Sequence, residues 1–169
     1  MNKISQLLRL IQNTPDCFVR PSQGLPQIKS DHNMPNDLVE FYQLCGGVVF
    51  YQSSAYSIEI VPPSGVVLAN AKFFIGLNEK DLAAIKDDIS WSWYIIGDGG
   101  ENLRYITIDL ASERLGRCYD SFWDSYAMPG SSPIIALSFT DLLSNLHSNK
   151  GQHWYWCQPG FLQIGDAYG

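Results

Sequence analysis

Apolar residues recur at helical spacing in three stretches of the chain, and this spacing predicts three helices. The first lies at the N-terminus, and the second begins near Pro35, a residue type favoured in the first turn of a helix. The third follows Ser138, which forms the pattern of a capping box with Asp141. The predicted core-facing residues are Ile4, Leu7, Leu8 and Ile11 in the first helix, Leu38, Phe41, Tyr42 and Cys45 in the second, and Phe139, Leu142, Leu143 and Leu146 in the third.

Prolines and glycines mark where these helices should end. The first helix is expected to stop before Pro15, because the residue ahead of a proline avoids helical geometry. Gly46 and Gly47 are expected to end the second helix, since glycine adopts the left-handed conformation without steric cost. The segment Cys17–Asn33 shows no periodicity and is predicted to be a surface loop.

A further helix is predicted within Leu77–Ile89. Asn78 is its candidate N-cap, because asparagine side chains accept hydrogen bonds from the first free amides of a helix. Leu82 and Ile85 are three residues apart, so we expect both side chains to face the core.

Runs of β-branched and aromatic residues predict strands between the helices. The clearest pair spans 90–96 and 103–110, joined by the acidic glycine turn Asp98–Glu101. In the returning strand, alternate residues point to opposite faces, so Tyr105 and Asp109 share a face. The remaining predicted strands are 48–51, 56–61, 116–122 and 134–137. This order of elements predicts an α+β fold, with a mostly antiparallel sheet flanked by helices.

Composition limits the size and the partners of the protein. The chain has 169 residues, 46% of them hydrophobic, which predicts a single folded domain over 1–169. Its net charge of −6 disfavours nucleic acid and anionic membranes, and it makes a basic protein the natural electrostatic partner. Since no apolar stretch approaches about 20 residues, we expect no membrane-spanning helix.

The cysteines and histidines predict no metal or cofactor site. No two cysteines form a CxxC pair, and the histidines do not fall at zinc-ligand spacing. The N-terminus lacks the apolar core of a signal peptide, which favours a cytoplasmic location with buried, reduced thiols. The residues concerned are Cys17, Cys45, Cys118 and Cys157, with His32, His147 and His153.

Four segments, taken in chain order, resemble motifs of the SUKH superfamily. They are 35–42 with the Gly46-Gly47 pair, 96–101 with Ile108-Asp109, 135–143, and the aromatic tail 154–161 with 165–168. The helix and loop within 1–33 lie outside these motifs. The resemblance implies one α+β domain with a twisted sheet and no known catalytic site. The tail is also too rich in aromatic residues to be a free end, so we expect it to pack back on the body of the domain.

Two functions follow from this resemblance. Many bacterial members look like immunity proteins, which bind a toxin domain, often a nuclease, that is encoded beside them. The fungal Smi- and Knr-type members regulate cell-wall synthesis through protein contacts and carry long disordered flanks, which this chain lacks. We therefore interpret the chain as a bacterial immunity protein with a basic toxin as partner. A regulatory or scaffolding protein is the alternative.

Acidic residues around the predicted hairpin are the candidate contacts for such a partner. They are Asp98, Glu101, Asp109, Asp120 and Asp124. The turn lacks the ligand register of a calcium loop, and its carboxylates would repel a phosphate. A third hypothesis, a catalytic carboxylate pair among Asp98, Glu101 and Asp109, requires a closed polar pocket around them. For Asp109 we expect a structural role, in which its carboxylate either bonds to turn amides or sits on the sheet face with Tyr105 and Thr107.

Overall fold

A computed structural model describes residues 2–169 and contains an antiparallel sheet of seven strands with five α-helices. Strands adjacent in sequence are adjacent in the sheet, from β1 to β7. This arrangement confirms the predicted α+β class. The strands are β1 (Phe18–Val19), β2 (Val48–Phe50), β3 (Ile58–Ile60), β4 (Trp93–Asp98), β5 (Arg104–Asp109), β6 (Cys118–Phe122) and β7 (Ile134–Ala136). The helices are α1 (Lys3–Gln12), α2 (Asn36–Leu44), α3 (Ala69–Phe73), α4 (Glu79–Ala84) and α5 (Phe139–Ser148).

Helices α1, α2 and α5 contact one another and cover the first face of the sheet. All twelve core-facing residues predicted for these helices are buried, so this part of the prediction is confirmed. Leu146 of α5 lines the same small cavity as Phe50 and Ile58. The first face is therefore the one to which these β2 and β3 residues point, and their sequence neighbours point to the second face.

Helix α3 covers part of the second face. The ring of Phe73 lies edge-on to Tyr105, at 5.4 Å between centroids, and stacks on Tyr126 at 3.8 Å. Trp93 of β4 contacts the same Tyr126 ring at 5.8 Å. The sequence did not predict α3, because five residues are too few to establish a helical period.

The end of α2 differs from the prediction. Cys45 closes the helix in an extended conformation, and Gly46 does not adopt a left-handed one. The glycines are needed for close backbone approach instead. A Cβ on Gly46 would lie 2.2 Å from the carbonyl oxygen of Pro21, and one on Gly47, whose φ is +124°, would lie 2.6 Å from that of Ile60.

Two predictions about flanking segments were wrong. The expected loop Cys17–Asn33 contains β1, an edge strand of two residues that is too short to show alternation. Helix α4 lies within the predicted range Leu77–Ile89, but Leu82 and Ile85, which were expected to face the core, are only half-buried. Its N-cap is confirmed, because the Asn78 side chain accepts from the Asp81 amide at 2.9 Å.

The aromatic tail packs back on the sheet, as its aromatic content predicted. Trp154 and Trp156 are buried, and the Tyr155 hydroxyl donates to the carbonyl oxygen of Ile135 at 2.7 Å. The Ile134 amide donates to the Gly165 carbonyl at 2.8 Å, so the tail also pairs with the outer edge of β7.

All four cysteines are free thiols. Cys17, Cys45 and Cys118 are buried as expected, whereas Cys157 is exposed, so the prediction of buried thiols was wrong for that residue. Among the helices described, none is long and apolar enough to cross a membrane.

Candidate partner-binding surface

Asp109 lies at the end of β5 and is completely buried. Its carboxylate accepts five hydrogen bonds, one of them from a backbone amide of the following turn, as the sequence predicted. Burial, and then the Asp109 carboxylate itself, raise the pKa of Tyr119, so this phenol stays protonated and donates. A partner could therefore reach Asp109 only if this network opened. The five donors to the Asp109 carboxylate are Ala111 N (3.0 Å), Ser92 Oγ (2.7 Å), Trp93 Nε1 (3.1 Å), Arg114 Nε (2.8 Å) and Tyr119 OH (2.8 Å).

Asp120 is also buried, with 8% of its surface exposed, and it forms an ion pair with Arg104. The Arg104 guanidinium lies over the Phe122 ring, 4.7 Å from its centroid. Burial raises the pKa of Asp120, while the guanidinium and the Trp156 indole N–H act in the opposite direction. Within residues 2–169, neither Asp120 Oδ1 nor Trp156 Nε1 completes a hydrogen bond of standard geometry. The charge of this carboxylate is thus balanced inside the protein.

Asp98, Glu101 and Asp124 remain at the surface near the turn between β4 and β5. The Asp98 carboxylate accepts from the Gly100 amide at 2.7 Å and holds the turn. The Trp123 amide donates to the Leu103 carbonyl at 3.0 Å, which places Asp124 beside the same turn. The structure therefore leaves these three acids at the surface near one turn and holds Asp109 and Asp120 in the interior.

The geometry does not favour a catalytic carboxylate pair. Asp98 lies opposite Tyr105, whereas Asp109 lies opposite Trp93 at the other end of the hairpin. Four residues of strand separate the two positions, or about 13 Å. Asp109 is occupied by its five donors, so the described residues do not form the closed polar pocket that this hypothesis requires. Nor do they contain a group of three or more His, Cys, Asp or Glu residues suited to a metal ion.

A row of cross-strand neighbours runs across the second face of the sheet. Toward β6 the row is buried, with Tyr105 8% and Ser121 1% exposed, and Phe73 of α3 lies against Tyr105. Toward β1 it is open, and Phe18 is 51% exposed. We call this open part, formed by Phe18, Val49, Glu59 and Asp98, the open half-face. In register order the row is Phe18, Val49, Glu59, Asp98, Tyr105 and Ser121.

The open half-face contains a shallow hollow of about 220 Å³. Glu59 on its wall pairs with Arg20, whose Nη2 lies 2.8 Å from the carboxylate. Glu59 was not among the acids predicted as partner contacts, although the alternation Ile58-Glu59-Ile60 indicates a polar residue on the face opposite the core. The hollow is lined by Val49, Ser57, Glu59, Asp98, Gly99 and Gly100.

Comparison with known proteins agrees with the motifs and the fold. Residues 28–145 match the sequence model of the SMI1 / KNR4 family (SUKH-1). The chain belongs to this family. This SUKH protein is 43% identical over 165 residues to "Immunity protein YokJ" of Bacillus subtilis (strain 168), and the match covers 98% of the chain and 95% of YokJ. No solved structure matches the chain. The SUKH resemblance stated from the motifs is therefore confirmed.

Proposed function

We propose that this SUKH protein is an immunity protein that neutralises a toxin by binding it directly. The observation that carries the proposal is the 43% identity to YokJ, a protein named for immunity, over 98% of the chain. The state of the two buried carboxylates supports a role without turnover. Asp109 and Asp120 are both held in ion pairs, so neither is free to transfer a proton to a substrate.

The proposed mechanism is steric and electrostatic. The protein covers the working surface of the toxin and forms a stable complex in the cytoplasm. Asp98, Glu101 and Asp124 form the proposed contact acids, because they are the predicted residues that lie near the surface. A nuclease binds the phosphate backbone with Lys and Arg, so an acidic surface would compete for the same residues. The net charge of −6 would speed the encounter with such a toxin.

Co-expression with the toxin tests this function. The toxin encoded beside this gene is expressed in a bacterial host with and without the protein. We expect growth to be restored and a stoichiometric complex to elute in gel filtration. A toxin that stays lethal and forms no complex would overturn the proposal, and a neighbourhood of cell-wall genes would then favour the regulatory alternative.

A matched set of variants tests the contact acids. Asp98→Asn, Glu101→Gln and Asp124→Asn combined remove three charges near the hairpin turn. We expect this triple variant to protect poorly while keeping its circular-dichroism spectrum and unfolding midpoint. The control is Asp141→Asn, which removes one exposed charge from α5 on the first face. Equal protection by the triple variant and the wild type would exclude these acids as contacts.

A further inference from the structure

The open half-face has an unusual sequence of side chains for a sheet surface. A solvated face of an antiparallel sheet normally carries polar side chains along the whole row. Here the row begins with two apolar side chains, Phe18 and Val49, and continues with two carboxylates, Glu59 and Asp98. Such a surface, half apolar and half acidic, has the composition of a contact surface with an apolar part and a charged rim.

The two carboxylates lie directly opposite each other on β3 and β4. Like charges at facing positions of an antiparallel pair destabilise the sheet. Arg20 compensates Glu59, but it is 44% exposed, and an ion pair so open to solvent contributes little. Within residues 2–169, Asp98 has no cation at ion-pair distance. Two carboxylates thus occupy facing positions with one ion-pair cation, Arg20, and a second cation placed between them would be stabilising.

From this arrangement we propose that a basic side chain of the toxin docks in the hollow between Glu59 and Asp98. This inference rests on the proposed immunity function and specifies its binding site. Val49 would pack against the methylene stem of the incoming Arg or Lys, and Phe18 would contact the adjoining apolar surface of the toxin. Arginine fits best, because its planar guanidinium can bond a carboxylate with two parallel N–H groups.

The size and the surroundings of the hollow agree with this occupant. Its volume of about 220 Å³ lies below the roughly 300–1,000 Å³ typical of small-molecule sites, which favours a single inserted side chain. Lys72 also lies toward this face, but its Nζ is 5.0 Å from the centroid of the Tyr105 ring, so it is engaged there. Arg20 is therefore the internal cation that competes with the toxin for Glu59.

This competition gives a test in which two variants move in opposite directions. Affinity is measured by titration calorimetry between the purified protein and the same toxin, carrying an inactivating substitution, at low and high salt. We expect Glu59→Gln and Asp98→Asn each to weaken binding at least tenfold at low salt, with a smaller loss at high salt. Arg20→Gln should bind as tightly as the wild type or more tightly, because it frees Glu59.

Controls separate this site from the function itself. Asp141→Asn should bind like the wild type. Glu59→Gln and Asp98→Asn should unfold at the wild-type temperature or above it, since each removes the repulsion. If the wild type binds and protects, and Glu59→Gln and Asp98→Asn bind as tightly as the wild type, the docking site is wrong and the immunity function stands. Weaker binding by Arg20→Gln, equal to that of Glu59→Gln, would assign the Arg20–Glu59 pair a structural role and also overturn the site. If the wild-type protein forms no complex with the toxin, the proposed immunity function itself is refuted.

A footprint gives an independent readout that does not depend on substitutions. Amide hydrogen exchange is compared between the free protein and the toxin complex. We expect new protection in the exposed loops joining β2 to β3 and β4 to β5, and at β1. Protection confined to α1, α2 and α5 would place the toxin on the first face and contradict the inference.

Discussion

Asp109 and Arg114 form an ion pair with 2.8 Å between the carboxylate and Nε, in which the carboxylate is fully buried and the guanidinium 18% exposed. Trp93 and Tyr119 donate to the same carboxylate. One side chain thereby ties together β4, β5, β6 and the turn after β5. Burying an ion pair costs desolvation energy, but removing one partner leaves the other uncompensated.

Asp109→Ala is therefore expected to lower the free energy of unfolding by about 3–5 kcal/mol. Urea denaturation, followed by tryptophan fluorescence, measures this change. Glu113→Gln is the control, because Glu113 pairs with the same Arg114 from an exposed position and its loss should leave the midpoint unchanged. A wild-type midpoint for Asp109→Ala would show that the buried network does not hold the fold.

Asp120 predicts a pH dependence of stability. Burial raises its pKa in the folded state above the ordinary value of about 3.9, so the folded state binds the proton more tightly than the unfolded state. The resulting stabilisation is complete below the ordinary value and is lost as the pH rises through the folded pKa. Asp120→Asn cannot show this loss. We therefore subtract the free energy of unfolding of the wild type from that of Asp120→Asn. This difference should increase as the pH rises from the ordinary pKa of an aspartate through the raised pKa of Asp120 in the folded state.

Urea titrations of both proteins between about pH 3 and pH 6.5 measure that difference. The contributions of other carboxyl groups cancel when the two curves are subtracted. A difference that stays flat or decreases with pH would contradict the raised pKa of Asp120.

The thiols should differ sharply in reactivity. Burial raises the pKa of Cys45 to about 11 and that of Cys118 well above its ordinary value, so at pH 8 both are protonated as well as inaccessible. Cys157 is exposed, and the nearby Arg104 partly offsets the rise in its pKa. We expect iodoacetamide to label one thiol per chain quickly in the native protein and four in urea, as counted by mass spectrometry. Fast native labelling that persists in Cys157→Ser would contradict this assignment.

Two helix caps of similar geometry should contribute unequally to global stability. The Ser138 side chain accepts from the Asp141 amide at 3.1 Å and caps α5, whose inner residues are buried. Asn78 caps α4 at 2.9 Å, but no residue of that helix is buried. Ser138→Ala should cost about 1 kcal/mol in thermal or urea unfolding.

Asn78→Ala should leave the global midpoint unchanged and accelerate exchange of the Asp81 amide, because α4 can open without exposing the core. Equal losses of stability for the two variants would mean that α4 unfolds together with the sheet.

Features with many residues in a regular pattern could be predicted from the sequence. The apolar faces of α1, α2 and α5 and the acidic hairpin extend over enough positions for a period or a turn motif to appear. Shorter features could not be predicted. The two residues of β1 and the five of α3 carry no period, and their conformation depends on neighbours distant in the chain.

The candidate surface shows the same limit at the level of single residues. The sequence identified Asp98 and Asp109 as acids of one hairpin, but alternation does not reveal what covers each face. Asp109 is buried because α3 and the turns around it close over that half of the second face. Glu59 lies opposite Asp98 only because of the register between β3 and β4. More than thirty residues of chain separate these two strands, so the register depends on tertiary packing and not on a local pattern.

By itself, the sequence determined the α+β class, the helix faces and the membership of the SUKH family, because local periodicity and motif order are written in contiguous residues. Only the tertiary structure decided which acids face solvent and which partner stands opposite each one. Burial and cross-strand pairing arise when distant segments pack together, and no local pattern contains that information.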